Sequence, residues 1–180
     1  MTSAKPTTRD AVLQAIERRR RRQAKARWWR FAVFALLVLV LDQISKALIR
    51  ETLAPREVVD VFPGFDVSRV TNEGIAFGLF PGRQSAIAVL TVLALCAIAI
   101  ALAGLVARNN TVAIGAGLLV GGSLGNLIDR LAHGAVTDFI DFARWPAFNV
   151  ADLGITAGAV LIVLGLLRDG EGGEEDERAG

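Results

Sequence analysis

The stretch AIAVLTVLALCAIAIALAGLVA, residues 86–107, runs for twenty-two residues without a charge. A bilayer's hydrocarbon core is about 30 Å thick, and a helix rising about 1.5 Å per residue needs roughly 20 residues to cross it. The stretch therefore reads as a transmembrane helix, and the rest of the chain is read outward from it. Just downstream, residues 111–128 form an eighteen-residue uncharged run with Gly117, Gly121 and Gly125 at four-residue steps. On a helix that spacing puts three hydrogens in place of side chains along one face, so a neighbouring helix can approach closely.

Two further apolar runs fall short of a crossing. Residues 31–41 are only eleven uncharged residues, so a full span has to continue through Asp42 and Lys46 to about Arg50. Residues 153–167 are fifteen, about 22 Å of helix, so that span has to begin near Asn149 and carry Asp152 to the membrane margin. Length alone thus places ionisable groups at membrane depth, where they are costly and point to function.

Charge sets the orientation. Residues 1–30 hold ten of the twenty Lys and Arg, and residues 169–180 hold six of the eighteen acids. The run Arg18, Arg19, Arg20, Arg21, Arg22 with Lys25, Arg27 and Arg30 precedes the first span, so the positive-inside rule puts the N-terminus in the cytoplasm. Four crossings return the C-terminus there and turn both longer connections outward. Trp28 and Trp29 stand where an interfacial anchor belongs. A basic region this long, an apolar run carrying Asp42 and Lys46, and no small-residue cleavage site favour an uncleaved signal anchor. Beside a span, the arginine run reads as a contact for anionic lipid and not for nucleic acid. The Glu- and Gly-rich residues 169–180 read as a disordered tail.

Composition removes several chemistries. With 53% hydrophobic residues the chain is not a disordered one, and one cysteine (Cys96) and one histidine (His133) cannot supply a disulfide framework or a His/Cys zinc site. Neither a metal nor a cofactor is expected. Ser45, Ser85 and Ser123 lack a Gly-x-Ser-x-Gly elbow, and Cys96 sits in mid-span, where a thiol is inert.

The outward segments hold the remaining chemistry. In the first, residues 58–70 are rich in β-branched and aromatic residues, alternate from Phe65 to Val70 and are punctuated by Pro63 and Gly64, which predicts short strands or a hairpin on the membrane surface. Asn72 and Gly74 then suit a turn. The second carries Asp129, Arg130, His133, Asp138, Asp141, Arg144 and Asp152, with aromatics at every third position from Phe139 through Phe142 and Trp145 to Phe148. That recurrence reads as one face anchored at headgroup level. Local salt bridges account for Asp42 with Lys46, Asp129 with Arg130, and Asp141 with Arg144. Asp138 and Asp152 have no basic residue three or four positions away, so local pairing does not explain them. Two carboxylates that share one proton can hydrolyse an amide, the ionised one activating water and the protonated one donating to the substrate.

Five ordered blocks complete the reading: Asp42-Gln-Ile-Ser-Lys46, Asn72-Glu-Gly-Ile-Ala-Phe77, Gly121-Gly-Ser-Leu-Gly-Asn-Leu-Ile-Asp-Arg130, Val136-Thr-Asp-Phe-Ile-Asp141 and Phe148-Asn-Val-Ala-Asp152. Over roughly residues 35–167 the chain resembles the lipoprotein signal peptidases, or signal peptidase II. The resemblance implies a membrane aspartic endopeptidase that removes the signal peptide from diacylglyceryl-modified prolipoproteins, cutting before the lipidated cysteine, with no cofactor. It implies that Asp138 and Asp152 are the catalytic pair, that Asn72, Gly74, Asn126, Asp129, Arg130 and Asn149 bind substrate or support the site, and that Asp42 and Lys46 are structural. The strands would form a platform over the site and the segment after His133 a movable lid. Ser123, Glu73 and the short connection between Asp141 and Phe148 depart from the family's pattern and bear on substrate preference and lid shape.

The expected fold is an all-α integral membrane protein with four transmembrane helices and a small β-containing extracytoplasmic element. Its parts would be a basic cytoplasmic arm (1–30), a four-helix peptidase domain (31–168, with spans at about 31–50, 86–107, 111–128 and 149–167) and an acidic tail (169–180). Expected partners are lipid-modified prolipoproteins and membrane lipids, no nucleic acid, and no second copy of the chain. Two other classes compete. An ion-coupled transporter is disfavoured because the acids cluster at one membrane face and no repeat relates the halves. A scaffold assembled through the glycine face would have no use for Asp138 and Asp152.

Overall fold

Helix α3 (Asn110–His133) is the axis on which the other helices pack, and its ends show why it starts and stops where it does. Asn109 is the N-cap: its side-chain oxygen accepts from the amides of Thr111 (2.7 Å) and Val112 (3.1 Å), two donors the first helical turn would otherwise leave unmatched. At the other end Gly134 takes a left-handed conformation (φ 76°) and its N–H donates to the carbonyl of Arg130. A left-handed glycine closes the helix without the clash a Cβ would bring. The computed structural model describes residues 8–73, 84–143 and 145–178. Gly74 and Arg144 lie outside the described residues, and so does the expected Asp141–Arg144 pair.

Around α3 stand α1 (Thr8–Thr52), α2 (Gln84–Val106) and α4 (Val150–Arg178). All four helices contain a stretch long and apolar enough to cross a membrane. Because α1 and α4 flank α3, the glycines of α3 meet backbone on two sides. A Cβ added at Gly117 or Gly121 would overlap the main chain of Phe31 or Ala35 on α1, and one at Gly122 would overlap the carbonyl of Ala151 on α4. The face marked by Gly117, Gly121 and Gly125 is thus turned to α1. A second row, in which Gly115 meets Gly158, seats α4 and was not read from the sequence. By contrast α2 is almost wholly unburied along its apolar length, leaving lipid as its main neighbour.

Two helices exceed the spans expected of them at their outer limits. The first begins at Thr8, so the basic arm from Thr8 onward is a continuation of the α1 rod. The last continues to Arg178, past the point where disorder was expected. Extending an existing helix needs no new nucleus, and Glu174, Glu175 and Glu177 are good helix formers.

A four-stranded antiparallel sheet lies at one end of the bundle, in the order β1 (Val58–Phe62), β2 (Phe65–Asn72), β3 (Val136–Phe142), β4 (Trp145–Phe148). The expected hairpin is β1–β2, closed at Pro63 and Gly64 (φ 88°). The second pair of strands was not anticipated. Aromatics three apart fall on opposite faces of a strand, so the expectation of one anchored aromatic face fails. Phe139 is buried, whereas Phe142 joins a row with Phe62, Phe65 and Phe148, centroid separations 5.0–6.1 Å. Nor is the segment after His133 a free lid: β3 is an interior strand paired on both sides, with Val136, Thr137, Asp138 and Phe139 buried. The sheet is tied to α1 by the Arg69 guanidinium, whose Nη1 donates to the carbonyls of Arg50 (2.9 Å) and Leu53 (2.8 Å).

The close α1–α3 contact predicts that Gly121→Ala lowers thermal stability in detergent by about 1–3 kcal/mol, the usual cost of forcing a methyl into packed backbone. Gly104→Ala on α2, where an added Cβ meets nothing within 4 Å, is expected to be neutral or stabilising by up to about 1 kcal/mol.

Candidate active site

The C-terminal ends of α1 and α3, the N-terminus of α4 and strands β2 and β3 converge, and their polar residues form one buried network. Its centre is Lys46. The side chain has no solvent exposure, and its Nζ lies 2.8 Å from Asp42 Oδ2, 2.7 Å from Asn126 Oδ1 and 3.5 Å from Asp129 Oδ2. Asp42 and Lys46 are four residues apart on α1, which brings them together on one face. Four residues further on, Arg50 shares that face and reaches Asp129 Oδ1 and Thr137 Oγ1, both at 3.1 Å. Asp129 therefore pairs with Lys46 and Arg50 of another helix and not with its neighbour Arg130, as local spacing suggested. Its other oxygen accepts from the Thr137 amide at 3.0 Å and so fixes where β3 begins.

The N-terminus of α4 is organised by the same groups. Asn149 caps the helix in a reciprocal pair with Asp152: the Asp152 amide donates to Asn149 Oδ1 (3.0 Å) and the Asn149 amide donates to Asp152 Oδ2 (3.2 Å). This is the capping-box arrangement with Asn and Asp in the two positions. The next free amide, that of Ala151, donates to Asp42 Oδ1 at 2.8 Å. Asp42 thus sits between a buried ammonium and the N-terminus of α4.

Asp138 and Asp152 are brought together by two asparagines. Asn149 Nδ2 donates to Asp138 Oδ1 (2.6 Å) and to Asn126 Oδ1 (3.2 Å), and Asn126 Nδ2 donates to Asp152 Oδ1 (2.9 Å). Asn72, at the end of β2, donates to Asp138 Oδ2 at 3.0 Å. Of the residues read from the sequence, Asp42, Lys46, Asn72, Asn126, Asp129, Asp138, Asn149 and Asp152 all belong to this network. Arg130 stands at its edge, its Nη1 donating to the Asn126 carbonyl at 3.3 Å. Arg50 and Thr137 were not singled out, although the Asp42-x-x-x-Lys46-x-x-x-Arg50 periodicity marks Arg50 as sharing the face.

Charge and burial dictate the protonation state. The network holds three cations (Lys46, Arg50, Arg130) against four carboxylates (Asp42, Asp129, Asp138, Asp152). Uncompensated charge is costly in a site this dry, so one proton on one acid leaves it neutral. Asp138, 3% exposed, is the acid placed to hold that proton below about pH 6. Burial pushes its carboxyl up to about 6 and the charge of Asp152 adds to the rise, while the Asn72 and Asn149 amides and the Lys46 charge oppose it.

Asp152, Asn126 and Arg130 form one wall of a groove of about 310 Å³, and Ala94, Leu95 and Ile98 of α2 form the facing wall. A polar rim opposite an apolar wall suits an extended peptide with an apolar flank.

The model of the signal peptidase II family matches residues 34–168 of the chain. The lipoprotein signal peptidase of Moorella thermoacetica is 40% identical over 147 residues, 81% of this chain and 98% of that protein. That of Pelotomaculum thermopropionicum is 36% identical over 147 residues, 81% and 97% of the two chains. Two solved structures of a bacterial membrane enzyme, obtained by the in meso method at 2.3 and 1.9 Å, are each 32% identical, with TM-scores of 0.68 and 0.67. Each match covers 77% of this chain, and 88% and 93% of the respective solved chains.

Removing the central cation should be costly because it strands two buried carboxylates. Lys46→Met is expected to destabilise the protein by about 3–5 kcal/mol in detergent unfolding. Adding Asp42→Asn should recover part of that loss, and a strictly additive double variant would count against the ion cluster.

Proposed function

The chain belongs to the signal peptidase II family, and from that premise we propose that Asp138 and Asp152 are the carboxylate pair of an aspartic endopeptidase acting on lipid-modified prolipoproteins. One observation carries the assignment: two carboxylates from different elements, bridged by Asn149, share a network that is neutral with a single proton.

Ionised Asp152 takes a proton from a water held between the two acids as the water oxygen attacks the scissile carbonyl carbon. Protonated Asp138 gives its proton to the carbonyl oxygen, so the tetrahedral intermediate is a neutral gem-diol. In the second half the C–N bond breaks, the leaving nitrogen takes the proton that Asp152 holds, and Asp138 recovers its own from a gem-diol hydroxyl. The pair ends as it began. Asn149, Asn126 and Asn72 donate to the carboxylates and fix their orientation, leaving little reorganisation for the reaction to supply. Arg130 neutralises the pair's charge and, with Gly74, is assigned to the substrate backbone. Asp42, Lys46 and Asp129 hold the helix ends in place.

The placement follows from charge. The basic arm leaves both chain ends in the cytoplasm and the dyad and sheet at the outer face, since the dyad lies at the opposite end of the bundle from the α2–α3 turn that Arg27 contacts. A prolipoprotein anchored in the outer leaflet by its diacylglyceryl-cysteine delivers the bond before that cysteine to this depth, its apolar signal helix lying along the α2 side of the groove.

Asp138→Asn and Asp152→Asn should each reduce cleavage of a diacylglyceryl-modified prolipoprotein peptide by more than about 10³-fold while the variants remain folded. An unlipidated peptide should resist the wild type. Activity in either variant within tenfold of wild type would remove the dyad assignment. For wild type, kcat/KM should fall as pH rises above about 6, where Asp138 loses its proton. The limb in kcat should lie higher, since bound substrate excludes more water. A kcat/KM flat from pH 5 to 8 would contradict this.

A further inference from the structure

At the end of the bundle away from the dyad, the peptidase chemistry leaves a second set of charges unused. Where the α1 rod passes the α2–α3 turn, Arg20, Arg21 and Arg27 converge with Arg108 on a cleft of about 600 Å³ whose remaining lining is Gln23, Ala24 and Ala107. No carboxylate lines it. The acids of the buried ion cluster, Asp42 and Asp129, belong to the other end of the bundle. Arg27 is already ordered, its Nε donating to Asn110 Oδ1 (3.2 Å) and its Nη1 to the Ala107 carbonyl (2.9 Å). Arg30 shares the same Asn110 oxygen at 3.1 Å.

What adjoins the cleft selects its occupant. Between α1, α2 and α3 lies an apolar slot of about 50 Å³, bordered by Trp28, Phe31, Leu102 and Val106 and running towards Ile98. It begins one residue from Arg27 and from Ala107 and leads into the apolar part of the bundle. Arginine forks pair with phosphate oxygens bidentately, and a ligand spanning both features needs an anionic phosphate joined to hydrocarbon. We propose that the cleft binds the headgroup of an anionic phospholipid in the leaflet bordering the α2–α3 turn, with an acyl chain lying against the slot. A nucleic acid would satisfy the arginines but leave the slot empty. Arg20, Arg21 and Arg27 lie outside residues 34–168, so the segment matched by the family model supplies only Arg108 of the four guanidiniums.

The test uses the full chain carrying Trp145→Phe, which leaves Trp28 and Trp29 as reporters. It is reconstituted in phosphatidylcholine nanodiscs containing a minor fraction of either brominated phosphatidylglycerol or brominated phosphatidylcholine. Quenching should show a preference for phosphatidylglycerol of roughly fivefold or more. Combining Arg20→Gln, Arg21→Gln and Arg108→Gln should bring the two lipids to parity, with peptide cleavage in detergent retained as proof of an intact fold. Equal quenching by both lipids in the wild type, or a preference that survives the triple variant, overturns the proposal. A preference that emerges only when residues 169–180 are deleted overturns it in favour of the chain's own acidic segment. Displacement of phosphatidylglycerol by a stoichiometric RNA oligonucleotide overturns it in favour of nucleic acid.

Discussion

A buried ammonium group needs partners on every side, and Lys46 finds them on two helices: Asp42 on its own and Asn126 and Asp129 on α3. Those partners are in turn committed elsewhere. Asp42 receives the Ala151 amide at the start of α4, Asp129 receives the Thr137 amide at the start of β3, and Asn126 donates to Asp152. One cation therefore fixes where α4 and β3 begin, and those two points carry Asp152 and Asp138. The close approach of α1 to α3 is what lets Lys46 reach so far. At Gly125 a side chain would occupy the space of the Asp42 carboxylate, so the glycine face and the ion cluster are two parts of one contact.

The electrostatic consequence is a site one proton short of balance. Lys46 and Arg50 are matched by Asp42 and Asp129, which leaves Arg130 to offset Asp138 and Asp152. Asp138 is buried and Asp152 only partly so, and burial raises the Asp138 carboxyl to about 6. In the proposed mechanism this difference gives Asp138 the acid role and Asp152 the base role. The apolar wall of α2 sets a lipid-like surface beside the proposed pair. At the other end of the molecule, Arg20, Arg21, Arg27 and Arg108 gather on the cleft proposed to take an anionic headgroup.

The four long apolar helices were legible because hydrophobic length is a one-dimensional signal, and Asp138 and Asp152 stood out because no local cation explained them. The glycine face of α3 was legible for the same reason of periodicity. What escaped was pairing over distance. Asp129 looked like a partner for adjacent Arg130, yet its cations come from α1, some eighty positions away. Strands β3 and β4 were missed because Val136, Thr137, Asp138 and Phe139 are all buried, so the strand lacks the alternation that reveals a half-exposed one. The Asn149–Asp152 spacing was a readable capping signal, obscured by the interest of Asp152 as an acid.

With four carboxylates against three cations, a proton on Asp138 balances the site below about pH 6. Infrared difference spectroscopy of the folded protein across pH 4–8 reads this directly through the C=O stretch of a protonated carboxyl group. A band titrating out near pH 6 and absent from Asp138→Asn is expected. No protonated carboxyl at pH 5, or a band that persists unchanged in Asp138→Asn, would contradict it.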